Sequence, residues 1–192
     1  MPPKKKSNNI KEQQDILHSI QKDNIDIDNR IIYVVSDTTQ EQAVQFEKNL
    51  KFLSDLDKKK PISIIIISDG GDWYAGQSMY DAVIACESPI ITIATGSVAS
   101  AATIVFLAGD TRLVSPHTTF LVHDVTHSSE AKATDVEAEL KAVKRQGHVM
   151  WGLYAERTNK TKAFWKKKCV GEFYFSAAEA VKIGFAHKVM EP

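Results

Sequence analysis

The sequence predicts an α/β fold built on a parallel sheet with right-handed crossovers, and three observations carry that prediction. From residue 27 onward, short β-branched apolar runs alternate with longer stretches of helical spacing. The joints between them are short and rich in Gly, Ser, Asp and Pro. One run, I-S-I-I-I-I at 62–67, is nearly continuous in the way a strand covered on both faces requires.

Residues 1–26 are polar and rich in Lys, Asn and Gln, with only a weak apolar pattern at Ile10, Ile16, Leu17 and Ile20. They read as an extension outside the core, and 27–192 as a single domain without repeats. The run at 30–35 is a strand closed by the polar S-D-T-T at 36–39. Val44, Phe46, Leu50, Leu53 and Leu56 then fall close to helical spacing, and Pro61 ends that helix. After the strand at 62–67 comes the turn S-D-G-G, then a helix face marked by Met79, Ala82, Val83 and Cys86. Pro89 opens a strand at 90–94, which leads through the small-residue turn T-G-S-V-A-S-A-A at 95–102 into a helix that Gly109 ends. Two short strands follow at 112–114 and 119–123. The longest helix starts at Ala131; its apolar or small positions, from Ala133 to Tyr154, recur three and four apart. That seam fits packing on its own domain and fits projection towards another subunit equally well. Ser176 and Glu179 form a capping box, Gly184 stops the helix it begins, and 186–190 is a last strand.

Composition removes several function classes. Lys+Arg and Asp+Glu are both 24, so no net charge favours nucleic acid or an anionic membrane. The lysine runs at 4–6, 58–60 and 166–168 lack interleaved aromatics and read as solvated surface. Two cysteines, Cys86 and Cys169, make no C-x-x-C pair, which suits a reducing compartment, and with no secretory h-region the expected location is cytoplasmic. The longest apolar runs are too short to span a bilayer.

The turn at 95–102 is where chemistry is expected. A serine between a strand and a helix sits beside free backbone N–H groups and the positive end of the helix dipole, a place suited to a nucleophile with an oxyanion site. Ser100 is the candidate, and it needs a base. His123 ends the apolar strand F-L-V-H and is the best placed of six histidines, although the residues alone fit a core histidine as well. Asp124 is a poor orienting partner, since neighbouring strand residues face opposite ways. His117 and His127 fall in loops and complete no metal set. Gly70 and Gly71 let backbone approach a ligand closely, or simply make a tight turn; no G-K-[ST] follows to suggest phosphate.

Taken together, the landmarks become specific: N-R-I-I-Y at 29–33; P-I at 61–62 followed by S-D-G-G at 68–71; Ala75 and Gly76 with Tyr80 and Asp81; G-S-V-A-S at 96–100; Pro116; L-V-H at 121–123; F-S-A-A-E-A at 175–180 with Gly184. In order and spacing, residues 27–190 resemble the proteolytic subunit of the Clp protease family. That resemblance implies a crotonase/Clp-type ββα superhelix with a long projecting helix at about 131–157. It puts the family's nucleophile on Ser100, its general base on His123 and its oxyanion amides on Gly71 and Ala101. The family's third triad member is an aspartate, and Glu172 stands at the matching position. Asp69 replaces a usual proline, and the N-terminal segment does not match the family's pore-lining loop. The resemblance further implies a serine endopeptidase without metal or organic cofactor. It would act on unfolded polypeptides as a homo-oligomer of stacked heptameric rings, served by an ATP-driven unfoldase. Three alternatives stay open: a catalytically silent ring subunit, an enoyl-CoA hydratase/isomerase relative, and a membrane-associated serine protease, the last disfavoured by the missing membrane segment.

Overall fold

The computed structural model describes Leu17, residues 22–126 and residues 132–191, the Ala133 side chain aside. Most of the expected extension, His127 and Ala131 lie outside the described residues. The strands are β1 (Ile25–Asp26), β2 (Ile31–Val35), β3 (Ile62–Ser68), β4 (Ile90–Ala99), β5 (Thr111–Val114), β6 (Thr119–Val122), β7 (Phe173–Ser176) and β8 (Lys188–Val189). The helices are α1 (Gln40–Leu56), α2 (Trp73–Ala85), α3 (Ala101–Ala108), α4 (Ala133–Arg157), α5 (Lys162–Lys168) and α6 (Ala177–Lys182). The described strands form one sheet in the order β1-β2-β3-β4-β5-β8, with β6 pairing β4 and β7 pairing β6. From β2 through β5 and on to β8 the pairing is parallel, as the alternation of strand and helix requires.

Three expectations change. β3 is buried on one face only: Ile62, Ile64 and Ile66 are sealed, while Ile67 is 44% exposed. The isoleucine-rich run therefore reflects β-propensity rather than two covering layers. Ile25 and Asp26 pair antiparallel with Ile32 and Ile31 and are buried, so the sheet reaches a little into the stretch assigned to the extension. And β4 does not stop at 94. Its residues 91–94 pair with β5; its residues 97–99 pair with β6 and, through Val98, with β3 beyond a register shift. Gly96 (φ +61°) lies at that change of partner. One strand thereby joins the main sheet to the β6–β7 pair.

The region behind the change is pinned by aromatic packing. Phe106 of α3, Phe120 of β6, Phe175 of β7 and Phe185 lie with ring centroids 5.1–5.9 Å apart, and Tyr154 of α4 and Trp165 of α5 join them at 5.0–5.9 Å. Each such pair contributes about 0.5–1.5 kcal/mol beyond its buried area. The cluster fixes α3 relative to β6, and these are the two elements that carry Ser100 and His123. Arg112 adds a polar staple, donating to the carbonyls of Phe185, Gly109, Arg157 and Gly184.

Candidate active site

Ser100 is the whole turn between β4 and α3. Its φ of 50° and ψ of −126° are sparsely populated for a residue with a side chain, at a cost of about 1–3 kcal/mol. The neighbours hold it there. The Ser100 N–H donates to the Leu121 carbonyl on β6 (2.9 Å), and the Ser100 carbonyl accepts from the Thr103 N–H (3.0 Å) and the Thr103 hydroxyl (2.5 Å). The Thr103 hydroxyl in turn lies 2.7 Å from the Tyr154 hydroxyl in the core. Burial pushes the Tyr154 phenol well above its ordinary range, so it stays protonated. All eight residues of α3 are buried, which fixes the helix in place. The Ser100 side chain makes no capping bond, so its hydroxyl is not committed to the helix.

The glycine turn lies directly beneath. A Cβ on Gly70 (φ +92°) would sit 2.7 Å from the Ser100 Cβ and 2.9 Å from the Ala101 nitrogen. Gly71 (φ +143°) would bring one within 2.5 Å of the Thr38 carbonyl oxygen. The glycines thus serve close backbone approach, and what they approach includes the serine turn itself. Thr38 donates to the Gly70 carbonyl and accepts from the Asp72 N–H, a bridge that leaves the Gly71 N–H out. Ala101 is the first residue of α3, so its N–H has no acceptor within the helix. Asp69, which stands where the resemblance leads one to expect proline, has its carboxylate held by the Ser97 hydroxyl at 2.8 Å.

His123 follows β6 by one residue, and Ser100 is bonded to that strand two residues before it. Ser100, His123, Gly71 and Ala101 all line one open cleft of about 440 Å³. Asp124 and Val125 line it as well, as do Val143 and Met150 from the α4 seam. The seam therefore has a role that its spacing did not reveal, as one wall of the cleft. Gln146, also on α4, donates to the Tyr74 hydroxyl on α2 across the cleft. The His123 Nδ1 faces the Asp124 backbone carbonyl at 2.6 Å, an arrangement that puts the proton on Nδ1 and leaves Nε2 as the acceptor. Glu172 is not among the lining residues; it is exposed, and its carboxylate accepts from the Tyr174 hydroxyl at 3.0 Å. Cys169, close by in the chain fold, is no rival nucleophile: burial and then the Asp124 charge push its thiol up to about 12.

A serine in a strained strand-to-helix turn, a histidine just past the neighbouring strand and two main-chain amides in one cleft form an arrangement chemically able to support acyl transfer. The sequence model of the Clp protease family matches residues 13–192. The ATP-dependent Clp protease proteolytic subunit 2 of Borreliella burgdorferi is 29% identical over 167 residues, covering 84% of this chain and 83% of that one. The ATP-dependent Clp protease proteolytic subunit of Porphyromonas gingivalis is 27% identical, covering 84% and 74%. Among solved structures, a point mutant of ClpP1 from Listeria monocytogenes superposes with a TM-score of 0.80 at 27% identity, covering 86% of this chain and 94% of that one. The chain belongs to the Clp protease family, and it has that family's α/β fold and peptidase function. Among the described residues no helix is long and apolar enough to cross a membrane.

Proposed function

We propose that this chain is a serine-type endopeptidase subunit in which Ser100 attacks the scissile carbonyl and His123 takes its proton. The oxyanion is held by the N–H groups of Gly71 and Ala101, a donor pair of which each member contributes on the order of 3 kcal/mol to transition-state stabilisation. The proton on His123 Nε2 then passes to the leaving amine, and a water activated by the same nitrogen hydrolyses the acyl-enzyme. Glu172 is the carboxylate proposed to orient His123 and stabilise its imidazolium form. By the resemblance drawn from its sequence, the chain would act on unfolded polypeptides inside a chamber of stacked rings, fed by an ATP-driven unfoldase; the names of its relatives support an ATP-dependent proteolytic subunit.

The observation that carries this reading is the meeting of Ser100, His123, Gly71 and Ala101 in one cleft, with Ser100 held in a sparsely populated backbone conformation at its edge. A silent ring subunit is the second reading, favoured by the attachment of Glu172 to Tyr174. Hydrolysis of a fluorogenic peptide by the assembled protein separates the two. Turnover that vanishes in Ser100→Ala supports the peptidase; a wild-type rate equal to that of Ser100→Ala supports the silent subunit.

A further inference from the structure

The register of β6 against β7 sets up a choice for Glu172. Thr119 pairs with Ser176, Phe120 with Phe175, Leu121 with Tyr174 and Val122 with Phe173. Past the last paired residues the two segments run on into His123 and Glu172, and they stay together through the Asp124 N–H donating to the Cys169 carbonyl (2.9 Å). Residues two apart on one strand share a face, so alternation puts Glu172 on the face of Tyr174 and His123 on that of Leu121, the residue that pairs with Tyr174. Glu172 thus has two candidate partners, Tyr174 and His123. The structure has it on one of them: the Tyr174 hydroxyl donates to Glu172, while His123 Nδ1 faces the Asp124 carbonyl.

We propose that Tyr174 is a positioning residue, a latch that holds the Glu172 carboxylate off His123, so that turning Glu172 onto Nδ1 completes the triad. The inference rests on Ser100 and His123 being the reacting pair. Glu172 and Tyr174 are both exposed, so no buried packing holds either side chain in its present rotamer. The carboxylate raises the affinity of the phenol for its proton, and the donor therefore persists across neutral pH. The titratable groups on the elements beside His123 are Asp124 and Glu139 in the cleft and the protonated Cys169, whose thiol feels the Asp124 charge; on the Glu172 side, Lys168 has its ammonium 4.2 Å from the Phe173 ring centroid. In the latched state the Asp124 carbonyl keeps the imidazole in the productive tautomer but supplies no full charge to an imidazolium. In the released state Glu172 supplies that charge.

The test is the rate at which a fluorophosphonate modifies Ser100 in the assembled full-length protein, mapped by mass spectrometry as a function of pH. Tyr174→Phe removes the latch and keeps the ring. It is expected to raise the Ser100 labelling rate and the peptidase kcat by about tenfold, a fraction of what a complete triad carboxylate can supply. The acid limb of the rate profile should also move to higher pH, since a carboxylate beside the imidazole favours its protonated form. The Tyr174→Phe, Glu172→Gln double variant should lose both effects. A Tyr174→Phe rate at or below wild type overturns the latch, as does a gain that survives in the double variant. Absence of label at Ser100 in every variant overturns the underlying site instead.

Discussion

Replacing Gly70 with alanine tests the idea that two glycines exist to let the serine turn close. The added methyl would lie 2.7 Å from both the Ala99 carbonyl oxygen and the Ser100 Cβ, and 2.9 Å from the Ala101 nitrogen. A side chain at φ +92° costs about 1–2 kcal/mol, and relieving the overlap by moving backbone costs about 1–3 kcal/mol more. At 2–4 °C per kcal/mol for a chain of this size, the melting temperature should fall by on the order of 10 °C. Because the displaced atom is a proposed oxyanion donor, kcat should fall by about 10²–10³ in the fraction that stays folded. Gly96→Ala is the control. It carries similar backbone strain at φ +61°, yet its nearest neighbour, the Ile67 side chain, would be 3.6 Å away. Peptide hydrolysis well below both melting points, with melting read by circular dichroism, gives the comparison. A folded Gly70→Ala protein with wild-type kcat would refute the reasoning, because the glycine turn would then not bear on the site.

Two further outcomes follow from the same geometry. Tyr154→Phe removes one buried hydroxyl bond and should cost about 1 kcal/mol. Thr103→Val leaves the Tyr154 hydroxyl buried without a partner and should cost more, about 1–3 kcal/mol, so the order of the two melting temperatures checks the chain from Tyr154 through Thr103 to the Ser100 carbonyl. His187 accepts the Arg112 N–H at Nδ1, and its affinity for a proton is lowered by burial and then by the Arg112 and Arg157 charges. The unfolded chain therefore binds this proton more tightly, and stability should decline as pH falls below about 6.5, the ordinary histidine value. Melting curves from pH 7.5 to 5.5 should be less steep in pH for His187→Asn than for wild type; equal slopes would contradict the assignment.

What the sequence made legible follows from where the signal was local. β2, β3 and the first half of β4 are apolar runs bounded by turn residues, and the Ser176–Glu179 capping box is present as read, with both reciprocal bonds formed. The second half of β4 was hidden because T-G-S-V-A looks like a turn; only pairing with β6 and β3 makes it a strand. β7 and α5 were missed because four residues and seven lysine-rich residues carry too little pattern. The run at 166–168 is more than solvated surface, since Lys166 lies over the Trp151 ring and Lys168 over the Phe173 ring. The contribution of α4 to the cleft, like the partner taken by Glu172, depends on how distant elements meet. Periodicity along one segment cannot express that.

The most direct measurement of the central claim is the site of covalent modification when the assembled protein is treated with a fluorophosphonate and its peptides are mapped. The account predicts a single adduct on Ser100, abolished when His123 is replaced by alanine and absent from Ser97 and Ser115. An adduct on either of those serines, or none on a folded protein that still hydrolyses peptides, would contradict it.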